Sequence, residues 1–193
     1  MTPRIYVCTT NSGKLADFNL GLAGISLEPL PELSQIEPPE ENGETFEDNA
    51  AGKALYYSRY SEQPVLADDS GIVVSSLNGA PGVYSARYSG VGATDPSNNA
   101  LLLSNLAGRK DRSARYVCVL AIAQSGRLLH TAEGAVDGWI VDSPRGTSGF
   151  GYDPLFFFPP LKRTFAELTR EERFSVSHRG NALRLLARVL ERE

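Results

Sequence analysis

No lysine or arginine occurs between Leu15 and Gly52, although the same stretch carries Asp17, Glu28, Glu32, Glu37, Glu40, Glu41, Glu44, Glu47 and Asp48. A run of one sign is either a solvated face or, because hard cations prefer carboxylate oxygens, a place that holds Mg²⁺. Both readings stand at this point. The chain also lacks any apolar run near the ~20 residues that cross a bilayer, so no membrane partner is expected. Residues 1–4 lead straight into a strand-like segment with no leader pattern, which makes the cytoplasm the expected compartment. Cysteine is scarce. Cys8 and Cys118 both sit in apolar runs, form no metal-ligand spacing, and read as buried thiols. A net charge of −4 argues against a nucleic-acid coat protein, so no nucleic-acid partner is expected. Internal repeats and low-complexity segments are absent too, and residues 1–193 read as a single domain of ordinary soluble composition.

What is present alternates helix and strand early and clusters strands later. Residues 5–9 read as a strand, 11–13 as a turn, and 14–22 as a helix with Leu15, Phe18 and Leu22 on one face. A short strand near 25–28 precedes a loop, 29–44, punctuated by Pro29, Pro31, Pro38 and Pro39. Thr45 opens a helix to about residue 60, with Asp48 in a capping-box position. Residues 65–67 form a buried strand that Gly71 ends with a bend, and 72–76 form the next. Asn78-Gly79 is a turn, and 80–94 is irregular. Asp95 is placed as the N-cap of a helix with Pro96 in its first turn and Gly108 as its stop. Residues 115–124, 128–134 and 135–141 read as three antiparallel strands, 149–153 as a turn, and 165–168 as a short helix. A last helix, 179–190, presents Ala182, Leu185, Leu186, Val189 and Leu190. The pattern predicts an α/β fold: a mixed sheet with flanking helices.

Five groups carry chemistry. Asp68-Asp69 closes an apolar run, and charges there are costly unless something pairs with them, a divalent metal or a turn being the alternatives. Thr9-Thr10-Asn11-Ser12-Gly13-Lys14 looks like a P-loop but lacks the leading glycine and the Ser/Thr after the lysine, so a Walker A site is rejected. A small-residue turn with a lysine still suits a phosphate. Glu41, Asn49 and Lys53 form a further group, the last two sharing a helix face. Phe150-Gly151-Tyr152-Asp153 can bring backbone and rings to a flat ligand or can be a tight turn with core aromatics. Ser177-His178-Arg179-Gly180 offers two donors at a helix start, whereas His130 lies in an apolar strand and reads as structural.

Taken together, these strings resemble the inosine triphosphate pyrophosphatase family over nearly the whole chain. The resemblance lies in residues 9–14, Thr45-Phe46 with Asn49-Ala50 and Lys53-Ala54, residues 67–71, 79–88, 149–154 and 177–180, six strings in the right order. It implies two lobes around a central nucleotide cleft, a homodimer, and Mg²⁺-dependent hydrolysis of purine nucleoside triphosphates such as dITP, ITP and XTP to monophosphate and pyrophosphate. By that resemblance Thr9, Thr10, Asn11, Ser12, Gly13 and Lys14 hold the triphosphate, with Lys53 in support. Glu41 and Asp69 match the metal-binding acids, and Asp69 also the proton acceptor. Ser70, Phe150, Gly151, Tyr152, Asp153, Arg173, His178 and Arg179 match nucleotide contacts. The chain departs from the family at Arg173, where lysine is frequent, and at Asp48, where glutamate is frequent. The expected chemistry is in-line attack of water on the α-phosphorus, with His178 and Arg179 reading the 6-keto group of the base. The rivals are a non-catalytic nucleotide-binding module, a phosphatase that removes the terminal phosphate, and a protein-interaction domain using the Tyr-rich segment 83–88.

Overall fold

The computed structural model describes residues 4–21 and 25–191. Seven strands form one sheet in the order β2-β1-β3-β4-β5-β6-β7. These are β1 (Arg4–Val7), β2 (Ser26–Pro29), β3 (Val65–Val74), β4 (Ser113–Gln124), β5 (Arg127–Ile140), β6 (Phe156–Phe158) and β7 (Arg163–Thr164). β1 runs parallel to β2 and β3, whereas β6 is antiparallel to both β5 and β7. The helices are α1 (Ser12–Phe18), α2 (Phe46–Tyr57), α3 (Asp95–Asn105), α4 (Arg170–Val176) and α5 (His178–Leu190). The fold is therefore α/β with a mixed sheet and helices, as the alternation of elements predicts. The chain divides into two compact units, one of Met1–Asp69, Cys118–Gly134 and His178–Glu193, the other of Ser70–Val117 and Ala135–Ser177.

In the first unit, small residues let a helix approach strands closely. Ala50 and Ala54 of α2 are fully buried in a cluster with Val65, Ala67, Val119, Ala121 and Ala123. Thr45 and Asp48 cap α2 reciprocally, which satisfies donors that the first turn of a helix leaves without intrahelical partners. The first helix is shorter than its periodicity predicts, closing at Phe18, and Leu22 lies outside the described residues. On α5 the buried face is Ala182, Leu183 and Leu186, while Leu185 is exposed. The correction is angular: Leu183 is three residues from Leu186 and shares its side, whereas adjacent residues diverge by about 100°.

Two glycines read as strand ends are instead interior to long strands. β3 passes through Gly71 without a break, and β5 runs unbroken through Gly134 where two strands were expected. Each glycine marks a close approach. A Cβ on Gly71 would collide with Ser85 Oγ and lie 2.6 Å from Gly82 O. On Gly134 it would collide with His178 O and Ala182 N, the backbone of α5. Asp68 and Asp69 consequently lie within a strand, not at its end.

The second unit packs around Phe156, whose ring lies 4.6 Å from Tyr116 and 4.8 Å from Phe165, centroid to centroid. α3 is capped by Thr94, one residue before the expected Asp95, because Thr94 and Ser97 form the reciprocal pair. α4 was not expected; its signal is the Thr169/Glu172 capping box. β6 and β7, of three and two residues, are too short to show a period.

Candidate active site

In the first unit, β1 feeds a polar turn into α1. Asn11 caps that helix by accepting from Lys14 N at 3.0 Å, and its own N–H donates to Thr9 Oγ1 at 3.2 Å. Thr10, Asn11 and Ser12 are exposed, while Thr9, Gly13 and Lys14 are half-buried. Lys14 turns its ammonium to Asp68, 2.9 Å from Oδ2. Arg179, 1% exposed, places Nη2 3.5 Å from the same oxygen and donates from Nη1 to Asp17 Oδ2 at 3.0 Å. Burial alone pushes the Asp68 carboxyl up, but Lys14, Arg179 and Lys53 together hold it well below the usual carboxylate range. Asp68 is thus an ionised anchor.

Successive side chains leave a strand on opposite sides, so Asp69 meets a different neighbourhood. Its Oδ1 accepts from Lys53 Nζ at 3.1 Å and its Oδ2 from Asn49 Nδ2 at 3.2 Å. Lys53 also donates to Glu41 Oε1 at 2.8 Å. Burial pushes the Asp69 carboxyl up, Glu41 adds to that, and the pull of Lys53 and Lys14 does not cancel them. Burial works against the Lys53 charge, but Asp69, Asp68 and Glu41 outweigh it and raise its pKa. Two neighbouring carboxyls are therefore driven in opposite directions, a frequent property of acid–base sites.

A cavity of about 300 Å³ opens here, lined by Thr9, Thr10, Lys14, Glu41, Lys53 and Asp68 with an apolar wall of Leu33, Ile36, Pro38 and Pro39. Asp69 is not among the lining residues and reaches this group through Lys53. Among the described residues no set of three or more His, Cys, Asp or Glu forms a metal cage. The relevant donors are the two carboxylates of Glu41 and Asp69, joined by the Lys53 ammonium. Two carboxylates suit Mg²⁺ in kind, since that ion completes its shell with water and phosphate oxygens.

Of the remaining expected contacts, Ser70, Phe150, Gly151, Tyr152, Asp153 and Arg173 lie in the second unit and His178 in the first. Ser70 is half-buried in β3. Asp153 accepts from Phe150 N at 3.1 Å through Oδ2 and from Tyr116 OH at 3.3 Å through Oδ1. Arg173 sets Nε 3.6 Å from Asp153 Oδ2 and donates from Nη1 to Ser148 Oγ at 3.1 Å. Gly149, at φ +82°, leaves room for these groups; a Cβ there would collide with Asp153 Oδ2. α3 grips the Gly151 peptide, Asp95 Oδ2 accepting its N–H at 2.6 Å and Asn99 Nδ2 donating to its carbonyl at 3.0 Å. Tyr152 is buried and donates to Ser85 O at 2.8 Å. Arg173, Tyr152 and Asp153 thus spend polar groups on holding this loop, while Phe150 and Gly151 are half-buried.

The structure brings Thr9, Thr10, Lys14, Glu41, Lys53 and Asp69 together with Arg179 in one network, and gathers Phe150, Asp153 and Arg173 in another. His178 is buried at the start of α5. Sequence reasoning missed Asp17 and Tyr116. Asp17 lies three residues after Lys14 on α1, a spacing that puts both on one side of the helix. Tyr116, in an apolar strand, gives no sign that its hydroxyl meets a carboxylate.

A polar turn with a lysine, further cations, and carboxylates of divergent acidity suit a phosphate-bearing ligand and the transfer of a proton. The comparisons agree with that class and narrow it. Residues 5–189 match the Ham1 family, and the chain belongs to that family. It is 50% identical over 185 residues to the dITP/XTP pyrophosphatase of Desulfotalea psychrophila, covering 95% of this chain and 83% of that one. The dITP/XTP pyrophosphatase of Geobacter sulfurreducens is 48% identical over 190 residues, covering 95% and 94%. The solved HAM1 protein of Coxiella burnetii superposes with a TM-score of 0.89 at 40% identity, covering 99% of this chain and 100% of that one.

Proposed function

We propose that this protein is a nucleoside triphosphate pyrophosphatase that hydrolyses purine triphosphates such as dITP, ITP and XTP to the monophosphate and pyrophosphate. The observation that carries the reading is that Glu41 and Asp69, from separate segments, meet on one cation, Lys53 Nζ, at 2.8 and 3.1 Å. A pure binder of a triphosphate gains little from carboxylates beside an anion, whereas hydrolysis needs a base. The names of relatives with about half of their residues in common support the same substrate class.

In this reading Lys14, Lys53 and the polar groups of residues 9–13 hold the triphosphate and offset the charge that develops on the departing pyrophosphate. Asp69 orients a water toward the α-phosphorus and takes its proton. Asp68 stays ionised between Lys14 and Arg179 and fixes the position of Lys14. Glu41 and Asp69 are the residues that would hold Mg²⁺, which when bound polarises phosphate oxygens. Phe150 and Gly151 receive the base, and Ser70 completes the nucleotide-binding set. Asp153 and Arg173 serve that set through the loop they hold, and His178 and Arg179 donate to the 6-keto group. No covalent nucleophile is required, and burial pushes both thiols up to about 12.

The reading extends to a cytoplasmic homodimer. The Tyr-rich segment 83–88 is the proposed interface, supported by Tyr84, which is 59% exposed with the Arg87 guanidinium 5.2 Å from its ring centroid, residue types favoured in such surfaces. Among the described residues no helix is long and apolar enough to cross a membrane. Product analysis with dITP, XTP, GTP and ATP, with and without Mg²⁺, tests the function. Monophosphate plus pyrophosphate, formed with Mg²⁺ and fastest from dITP or XTP, supports it. Diphosphate plus orthophosphate replaces it with a terminal phosphatase.

A further inference from the structure

One buried amide in the first unit touches both acids' surroundings and has no part in the mechanism above. Asn49, on α2, is 4% exposed. Its Oδ1 accepts from Gly43 N at 2.8 Å, and its Nδ2 donates to Asp69 Oδ2 at 3.2 Å. The orientation is unambiguous, because a backbone N–H requires the oxygen and a carboxylate requires the NH₂. Gly43 lies two residues beyond Glu41, in the segment from which Glu41 reaches Lys53. Lys53 lies one helical turn beyond Asn49, so one edge of α2 presents both donors to Asp69. The approach is close: a Cβ on Gly43 would lie 2.7 Å from Asn49 Oδ1 and from Asp48 Cβ.

We propose that Asn49 is a positioning residue that sets the rotation of the Asp69 carboxylate and ties it to the segment carrying Glu41. With Lys53 on Oδ1 and Asn49 on Oδ2, the carboxylate plane is fixed by two donors from one rigid helix, which no single contact achieves. The Gly43 contact prevents the amide from turning, so the orientation of the base and the placement of the Glu41 segment depend on one side chain. The inference rests on the reading of Asp69 as base and deepens it.

Asn49→Asp and Asn49→Ala separate the two arms. Aspartate keeps an acceptor for Gly43 N but turns an oxygen toward Asp69, at unchanged volume; alanine removes both contacts. Each variant is checked by thermal melting, then by kcat and KM for dITP with Mg²⁺ and by amide hydrogen exchange at Gly43 without nucleotide. Asn49→Asp is expected to lower kcat by about 100-fold with KM within about threefold, while Gly43 exchanges as slowly as in the parent. Asn49→Ala is expected to lower kcat similarly and to speed Gly43 exchange at least ~10-fold. A kcat within about threefold of the parent in Asn49→Asp, or parental Gly43 exchange in Asn49→Ala, overturns the proposal. If Asn49→Ala does not fold, the near-isosteric Asn49→Asp carries the kinetic test. A parent enzyme that releases no pyrophosphate from any purine triphosphate removes the proposed function instead, and Gly43 exchange then decides the bridge alone.

Discussion

The cluster around Lys53 and the loop around Asp153 are both polar and each has a buried carboxylate, Asp69 in one and Asp153 in the other, yet they satisfy their polar groups in different ways. In the first, charges answer charges: Lys14, Lys53 and Arg179 are set against Asp17, Glu41, Asp68 and Asp69. In the second, most partners are backbone: Phe150 N, both ends of the Gly151 peptide and Ser85 O. A charge network in a low-dielectric setting shifts acidities and is suited to moving protons. A network that spends its donors on backbone fixes a shape and is suited to recognition. The difference predicts that damage to the first region shows in kcat and damage to the second in KM.

The largest expected effect is at Asp69. Asp69→Asn keeps the volume and an acceptor but removes the base, and kcat should fall by about 1,000-fold with the melting temperature nearly unchanged. Steady-state kinetics and a thermal melt check it, and substantial activity would move the base elsewhere, with Asp68 the first suspect. Next is Lys53→Met. It leaves Glu41 and Asp69 without the ammonium that joins them, and should cost about 3 kcal/mol of stability by denaturant titration. Because a divalent ion fits the same two carboxylates, Mg²⁺ should raise the melting temperature of this variant more than that of the parent. An equal rise in both would detach the acids from the metal.

Tyr116→Phe tests the second region. It removes one donor from Asp153 Oδ1, and should cost about 1 kcal/mol and raise KM for dITP a few-fold with kcat preserved. A fall in kcat with KM unchanged would break the division between the two regions. The smallest effect concerns the thiols. With both pushed up to about 12 by burial, Cys8 and Cys118 stay protonated at pH 8. Iodoacetamide should label neither in the folded protein and both after denaturation, read by mass spectrometry.

The sequence made the charged region the more legible of the two. Asp68-Asp69 in an apolar run, a small-residue turn with Lys14, and Glu41 ahead of a capped helix carry their chemistry in their residue types. Gly71 and Gly134 misled because a glycine in a strand pattern looks the same whether it ends the strand or admits a neighbour. Only the folded chain shows Ser85 against one and α5 against the other. The exposed Leu185 misled because the final helix offers several apolar residues, and packing chooses among them. Asn49 was visible as a partner of Lys53 on one helix face, but its two hydrogen bonds join positions six and twenty residues away, which local patterning does not report. The roles of Tyr116 and Arg173 at Asp153 depend on contacts across 37 and 20 residues and were hidden for the same reason.

The account turns on where water attacks. Hydrolysis of dITP in oxygen-18-labelled water, with the products separated and weighed by mass spectrometry, tests that most directly. Attack directed by Asp69 at the α-phosphorus places the label in the monophosphate and leaves pyrophosphate unlabelled. Label in pyrophosphate, or release of orthophosphate in its place, would contradict it.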